Sequence, residues 1–451
     1  MNHFKRLQKI LLAIFIGIVL FFISDTVFTQ PQSILVGLIA FLVTLWTNEG
    51  LPLAVVSLMP IALFPAFGLL GTKATTTNYS HPIIYLFLGG FLLAIGVEKT
   101  NLHRYISQKI LSFFPSTPRG VIFSLVLTSG LLSSVLSNTT TTLLLISIAL
   151  FLSEDAKLKM RFALAIAYGS NVGGIITPIG TPPNLILYGI MQDKGLETLS
   201  FFQWVGMVSP LALVMLLVVG FLLSLGLEKV EIVEDTKRHI LDISQKKVLG
   251  ALGALVLLLF ANAPIKPYWS GLGMSEPVIL LAFGLALFLP YINILEWDED
   301  SKRVPYKIMF LFGAGFSIAK AFSTTGLADS VASYLLVITH LAPIVLLLIV
   351  AALITFTTEI TSNTALISIM LPVIYAISVQ SDINTMLFMM VATVSSSYAF
   401  MLPIATAPNA IAMSSGAVHV KDMLRFGVIL NLLGIFFIVL IAEYFWKGIL
   451  L

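Results

Sequence analysis

The chain contains no cysteine and few charged residues. The absence of cysteine excludes disulfides, thiolate metal sites and cysteine nucleophiles. Only 10% of the 451 residues are charged, whereas a soluble domain carries roughly a quarter. The sequence also lacks a glycine-rich phosphate loop, a catalytic triad and a paired His-Glu motif, so no enzyme class is indicated. The net charge of +3 is too small to indicate a nucleic-acid partner.

Apolar residues dominate instead. They make up 58% of the chain, and the mean hydropathy is +1.01. Successive apolar runs of about 18 residues or more are typical of helical membrane proteins. We therefore predict an all-α polytopic membrane protein with about 11 transmembrane helices. The predicted spans are 7–24, 33–47, 51–71, 82–97, 160–190, 203–227, 247–264, 276–292, 304–321, 384–415 and 423–446.

Two further apolar segments, 118–152 and 341–378, are too long for one crossing and too short for two. Each contains a polar motif, so we interpret each as a re-entrant helical hairpin whose tip is buried in protein. The amphipathic segments 100–115 and 325–338 are expected to lie at the membrane interface.

The distribution of basic residues predicts the orientation. The basic N-terminus "MNHFKRLQK" precedes an apolar run without a small-residue cleavage site, which indicates a retained first helix. With this end cytoplasmic, most of the 25 Lys and Arg residues lie inside, as the positive-inside rule requires. The outer side then holds only Lys73, Lys194, Lys266 and Lys447, with Lys320 inside a span. We predict a multi-pass protein of the plasma (inner) membrane with its C-terminus outside.

Three sequence patterns recur at one common separation along the chain, the repeat offset. "SNT" occurs at 137–139 and again at 362–364, and "PIGTPPN" at 178–184 matches "PIATAPN" at 403–409 with the same separation. A third set keeps this offset: Leu86, Phe87, Gly90, Phe91 and Ala94 match Leu311, Phe312, Gly315, Phe316 and Ala319. The chain is therefore interpreted as a duplicated unit.

The repeat predicts the domain organisation. Residues 1–32 form an N-terminal helix, 33–227 the first repeat, 228–247 a cytoplasmic linker and 248–451 the second repeat. The predicted crossings between equivalent points are odd in number, so the copies should have opposite orientations. Inverted repeats that meet near the midplane are typical of secondary transporters.

The recurring motifs suit the binding of an anion together with a cation. At a hairpin tip, the free N–H groups of the outgoing helix attract an anion, and Ser and Asn can cap it. Hydroxyl, amide and carbonyl oxygens at the same place suit a small cation such as sodium. Proline at the two breaks forces unwound backbone, which must line protein or a cavity. No Lys or Arg is close in sequence to either motif, so bound cations would balance the anion.

One intramembrane acid leaves two interpretations open. Glu359 lies three residues before Ser362 and is either a functional group or a brace of the hairpin. Lys320 is expected to extend its amine toward the interface. The histidines lack the spacing of a metal site.

These motifs resemble the divalent anion/sodium symporter family. The resemblance rests on the paired SNT motifs, on "TEITSNTA" at 358–365 and on the two proline motifs, and it covers the chain from about residue 33. It implies a homodimer in which a transport domain moves against a scaffold by an elevator mechanism. It also implies dicarboxylate substrates such as succinate, malate and fumarate.

The resemblance also implies binding residues. The first sodium site would comprise Ser133, Ser137, Asn138 and Gly180, and the second Thr358, Thr361, Ser362, Asn363 and Ala405. Substrate carboxylates would contact Asn138, Thr139, Asn363, Thr364, Thr181 and Thr406.

The resulting hypothesis is sodium-coupled symport of a C4 dicarboxylate, with sodium as a transported ion and no permanent cofactor. Threonine in the third place of both SNT motifs resembles dicarboxylate carriers more than citrate carriers, and the hydroxyls of Ser133 and Thr358 favour symport. The alternatives are sodium-independent dicarboxylate exchange and sodium-coupled transport of sulfate or citrate. An anion channel and a membrane-embedded enzyme are hypotheses of other classes.

Overall fold

The computed structural model describes residues 3–227, 241–264, 268–335 and 341–450, and within these ranges it is helical without β-strands. The first helices are α1 His3–Ser24, α2 Gln30–Asn48, α3 Leu53–Ala66, α4 Thr72–Thr77, α5 Pro82–Lys99, α6 Leu102–Leu111, α7 Pro118–Ser133, α8 Asn138–Phe151, α9 Ala156–Gly173, α10 Pro182–Asp193 and α11 Phe201–Ser224. The later helices are α12 Ile243–Asn262, α13 Glu276–Ala286, α14 Trp297–Asp300, α15 Tyr306–Thr325, α16 Leu327–Leu335, α17 Pro343–Thr358, α18 Asn363–Gln380, α19 Thr385–Ser395, α20 Ala407–Ser414, α21 Val420–Ile441 and α22 Lys447–Ile449.

Eight helical segments in the described ranges are long and apolar enough to cross a membrane. They are Phe4–Ser24, Gln30–Asn48, Thr72–Lys99, Phe201–Ser224, Ile243–Asn262, Tyr306–Thr325, Asn363–Gln380 and Val420–Ile449. Shorter apolar helices include α3, α7, α13, α17 and α19. The all-helical fold is confirmed, whereas the count of about 11 crossings stays a prediction.

Two helix bounds differ from the bounds expected from the sequence. The span expected at 276–292 is helical only to Ala286, after which the chain turns. The end of the linker expected at 228–247 is helical, because α12 begins at Ile243 under the cap of Asp242, whose side chain accepts a hydrogen bond from Gln245 N–H. Residues 228–240 of that linker and 336–338 of the second amphipathic segment lie outside the described residues.

Several helices begin at positions related by the repeat offset. Helices α7 and α17 start at Pro118 and Pro343, and α8 and α18 start at Asn138 and Asn363. Likewise the starts of α6 and α16 are separated by the same offset, as are those of α10 and α20. Equivalent sequences therefore fold into equivalent helix–break–helix units.

Close helix contacts at glycine hold the units together. Helix α9 packs on α7, where a Cβ on Gly173 would overlap the backbone of Gly130. Helix α5 packs on α13, where Gly89 and Gly284 face each other. Small residues that bring backbones together are the usual means of packing membrane helices, because lipid removes the hydrophobic driving force between them.

An ion pair joins the end of α5 to the end of the short helix α14. Lys99 Nζ lies 2.7 Å from Asp300 Oδ2, and the same oxygen accepts Glu296 N–H at 2.8 Å. Burial raises the pKa of the Asp300 carboxyl, but these hydrogen bonds and the charges of Lys99 and Arg303 outweigh burial and hold it below its usual value. The carboxylate therefore stabilises the folded state at neutral pH.

We expect Asp300→Asn to lower the free energy of unfolding by about 1–3 kcal/mol at pH 7. The folded-state pKa lies below the unfolded value of about 3.9, so the contribution is present above pH 4 and is lost as the pH falls through the folded-state pKa. Thermal unfolding of the purified protein at several pH values checks this. Glu154→Gln is the control, because it removes an exposed ion pair with Lys159. It should change the free energy of unfolding little. An equal loss for Asp300→Asn at all pH values would contradict it.

Candidate functional site

One open cavity of about 1220 Å³ brings both motif pairs together. Of the residues predicted to bind substrate or sodium, eleven reach its wall: Ser137, Asn138, Thr139, Gly180, Thr181, Thr361, Ser362, Asn363, Thr364, Ala405 and Thr406. The two others, Ser133 and Thr358, are fully buried just behind it. Equivalent segments of the two copies, which are far apart in sequence, thus face a common space.

The first tip is the turn between α7 and α8. Ser133 Oγ, at the end of α7, donates to Asn138 Oδ1 at 2.7 Å, which ties the incoming helix to the outgoing one. Ser137 is the N-cap of α8, and its Oγ accepts Thr140 N–H at 3.1 Å. Asn138 and Thr139, whose N–H groups this cap does not bond, lie at the cavity wall.

The second tip repeats the first bond but not the cap. Thr358 Oγ1, at the end of α17, lies 2.6 Å from Asn363 Oδ1 and 3.0 Å from Ser396 O. Ser362 occupies the N-cap position of α18 without a side-chain cap hydrogen bond, so its expected capping role is wrong. Ser362 itself lies at the cavity wall.

The two proline motifs form the breaks between α9 and α10 and between α19 and α20. In the first break, Asn184 Nδ2 donates to Thr177 O at 2.9 Å and to Gly174 O at 3.5 Å. In the second, Asn409 Nδ2 donates to Leu402 O at 3.0 Å and to Ala399 O at 2.9 Å. The last residue of each proline motif therefore satisfies the carbonyls that the break leaves without helical partners.

Asn171 links the first copy to the break of the second. Its Nδ2 on α9 lies 3.1 Å from Thr406 Oγ1 and 3.2 Å from Asn409 Oδ1. The side chain is fully buried. Asn171, Asn184 and Asn409 were not among the residues predicted from the sequence, although Asn recurs at the end of both proline motifs.

Oxygen atoms of the first tip and the first break converge around Gly174 and Gly180. A Cβ on Gly180 would overlap Gly174 O and lie 3.0 Å from Ser133 O. A Cβ on Gly174 would lie 2.6 Å from Asn138 Oδ1. These contacts bring together two carbonyls and an amide oxygen, which are the hard ligands that a small cation prefers.

Charged side chains reach the cavity from the N-terminal helices. Arg6 and Lys9 of α1 lie on its wall, and so does the exposed Glu49 after α2. Arg6 is held by a 3.2 Å hydrogen bond from its Nε to Gly50 O. These charged groups were not expected from the sequences around the motifs, because helix packing brings them here from a distant part of the chain.

Two solved structures that share this fold are membrane transporters. The Alcanivorax borkumensis YdaH transporter matches with a TM-score of 0.58 at 15% identity, over 93% of this chain and 98% of that one. Neisseria gonorrhoeae MtrF, described as an antimetabolite efflux pump, matches with a TM-score of 0.60 at 12% identity, over 94% and 96%. At these identities the likeness shows the fold alone.

Relatives found by sequence comparison are more similar to this chain than these two structures are. The family model described as "Citrate transporter" matches residues 39–393. A sodium-dependent dicarboxylate transporter, SdcS, of Staphylococcus saprophyticus is 30% identical over 96% of this chain and 91% of its own length. The SdcS of Staphylococcus aureus strain USA300 is 30% identical over 94% and 89%. The chain therefore belongs to the citrate and dicarboxylate transporter family that its motifs indicate, the divalent anion/sodium symporters, and is a multi-pass membrane transporter rather than an enzyme.

Proposed function

We propose that the protein takes up C4 dicarboxylates, such as succinate, malate and fumarate, by symport with sodium. The observation that carries this proposal is the pair of equivalent helix–break–helix tips on the wall of one cavity. The names of the SdcS relatives, which specify dicarboxylate and sodium, support the same substrate and ion.

The cavity chemistry supports a dianionic substrate. Each tip can donate hydrogen bonds to one of the two carboxylates. The donors are Asn138 and Thr139 at the first tip and Asn363 and Thr364 at the second. Helices α8 and α18 begin at these residues and add their N-terminal N–H groups. Thr181 and Thr406 precede α10 and α20 in the same way, and each is proposed as a further carboxylate contact.

The oxygen-rich positions behind the tips support two sodium sites. The first comprises Ser133, Ser137, Asn138 and Gly180, where carbonyl and amide oxygens already converge. The second comprises Thr358, Thr361, Ser362, Asn363 and Ala405, where Thr358 Oγ1 contacts Asn363 Oδ1 and Ser396 O. Sodium at both sites would complete the anion site before the substrate binds.

The proposed transport cycle is an elevator movement of one domain past another. Helix starts and hydrogen bonds that recur at the repeat offset support two copies of one unit, 33–227 and 248–451. In this proposal the re-entrant hairpins 118–152 and 341–378 enter from opposite sides, the N-terminus is cytoplasmic, and the protein is a homodimer. Unwound backbone at the centre of a membrane protein is tolerated where it lines such a cavity.

The deciding measurement is uptake of labelled succinate into proteoliposomes. With an inward sodium gradient, we expect accumulation above equilibrium, and with the same gradient of potassium or choline we expect none. Uptake that ignores sodium but requires internal dicarboxylate would instead identify an exchanger. Labelled citrate is measured in parallel, because the matching family model is described as a citrate transporter, and labelled sulfate completes the series.

A further inference from the structure

The carboxylate of Glu359 occupies a nest of hydrogen-bond donors at the second tip. Glu359 directly follows the last residue of α17, and Glu359 is only 3% exposed. Its Oε1 accepts Phe400 N–H at 2.8 Å and Met401 N–H at 2.9 Å, and its Oε2 accepts Leu402 N–H at 3.0 Å. Asn431 Nδ2, from α21, donates to Oε1 at 2.7 Å. One side chain thus holds three successive peptides of the second break.

These peptides determine the position of Ala405. Both backbone polar groups of Leu402 are hydrogen-bonded. Its N–H donates to Glu359 Oε2, and its carbonyl accepts from Asn409 Nδ2 at 3.0 Å. The same carbonyl accepts Ala405 N–H at 3.2 Å. Glu359 therefore orients the turn that presents Ala405, one of the proposed sodium ligands, to the second tip.

Among the described residues, the Glu359 carboxylate forms no ion pair with a cationic side chain. Backbone N–H groups and an amide solvate a carboxylate but leave its net charge in place. A buried unpaired charge is costly, so this carboxylate favours a cation bound at the second tip, where Thr358 directly precedes Glu359.

The first copy lacks this charge. The residue equivalent to Glu359 at the repeat offset is Ser134, whose carbonyl accepts the Thr177 hydroxyl, and Thr177 is the equivalent of Leu402. A neutral bond joins tip and break in the first copy, whereas a carboxylate joins them in the second. The two proposed sodium sites are therefore similar in their oxygen ligands but different in charge.

We propose that Glu359 is a positioning residue that makes the second sodium site the tighter of the two, through its negative charge and its hold on residues 400–402. This inference rests on the proposed symport. It follows that sodium fills the second site before the first and does so without substrate.

The test is direct sodium binding to the purified full-length protein without substrate. It is followed by radioactive sodium and by the sodium-dependent rise of the unfolding temperature. We expect Glu359→Gln to raise the sodium concentration for half-maximal binding at the tight site by roughly tenfold or more, because the charge is lost. Ser134→Ala, the matched control in the first copy, keeps the carbonyl that Thr177 bonds and should bind sodium as the unaltered protein does.

Two further variants separate charge from structure. Asn431→Ala removes one donor but keeps the charge, and Glu359→Asp keeps the charge on a shorter side chain. Sodium affinity within about threefold of the unaltered protein for these variants, beside the loss in Glu359→Gln, supports the proposal. A folded Glu359→Gln with unchanged sodium affinity overturns it. Complete loss of sodium binding in Glu359→Asp also overturns the proposal. This variant provides the test if Glu359→Gln does not fold.

The outcomes also distinguish this inference from the proposed function. If the unaltered protein neither binds sodium nor shows sodium-driven uptake, the symport proposal itself fails. If it does both and Glu359→Gln behaves identically, only the role of Glu359 is wrong.

Discussion

Replacing Asn138 or Asn363 by alanine should abolish sodium-driven succinate uptake while the protein remains folded. Each amide lies on the cavity wall and also bonds the hydroxyl at the end of the preceding helix, Ser133 in one copy and Thr358 in the other. A hydrogen bond to a charged group is worth about 1.5–3 kcal/mol, and each variant also loses an oxygen proposed for sodium. We therefore expect uptake to fall at least about 100-fold at a fixed substrate concentration.

The control must show that folding survives. Size-exclusion profiles and unfolding temperatures of both variants are compared with those of Asn78→Ala, which removes an amide that contacts Ala74 O and Ser317 outside the cavity. Asn78→Ala should transport normally. Normal sodium-driven uptake by Asn138→Ala or Asn363→Ala would remove that residue from the binding site.

Much of the site could be predicted from sequence because its parts are local and repeated. A polar residue after a break indicates a helix start, and helices do begin at Asn138 and Asn363, directly after Ser137 and Ser362. Helices α10 and α20 begin inside the proline motifs, where a proline in the first turn needs no partner for an N–H group. The common repeat offset identified these positions without any knowledge of the fold.

Long-range contacts could not be predicted in the same way. Arg6 and Lys9 reach the cavity only through the packing of α1 on α2 and of the N-terminal helices on the rest. Asn171 bonds the second copy, although its own surroundings in sequence give no sign of that partner. The helix of 276–292 ends at Ala286 in spite of a continuing apolar sequence, since hydropathy indicates burial but not helix length.

The two copies also differ where sequence similarity suggests identity. Ser137 caps its helix, whereas Ser362 makes no such bond, and a carboxylate at position 359 stands where the first copy has Ser134. Duplication explains the shared backbone. The proposed inequality of the two cation sites requires the carboxylate in only one copy. The differences are therefore the positions at which function is best tested.

Gly180→Ala should also have a large effect, and it tests the proposed first sodium site without removing any polar group. The added Cβ would overlap Gly174 O and lie 3.0 Å from Ser133 O, so the carbonyls that converge there must move apart. Overpacking of this kind costs about 1–3 kcal/mol, and the site must bind sodium in the strained arrangement. We expect the sodium concentration for half-maximal uptake to rise roughly tenfold to 100-fold.

Three comparisons make the interpretation of Gly180→Ala specific. Gly206→Ala, on α11, adds a methyl group with nothing within 4 Å and should leave uptake unchanged. Ala405→Gly, at the equivalent position of the second copy, removes a methyl group and should not raise the sodium requirement by the same mechanism. Sodium dependence is measured at saturating succinate, so that a weaker cation site is separated from a weaker anion site. If Gly180→Ala instead raised only the succinate requirement, the oxygens around Gly180 would serve the substrate, and the first sodium site would have to lie elsewhere.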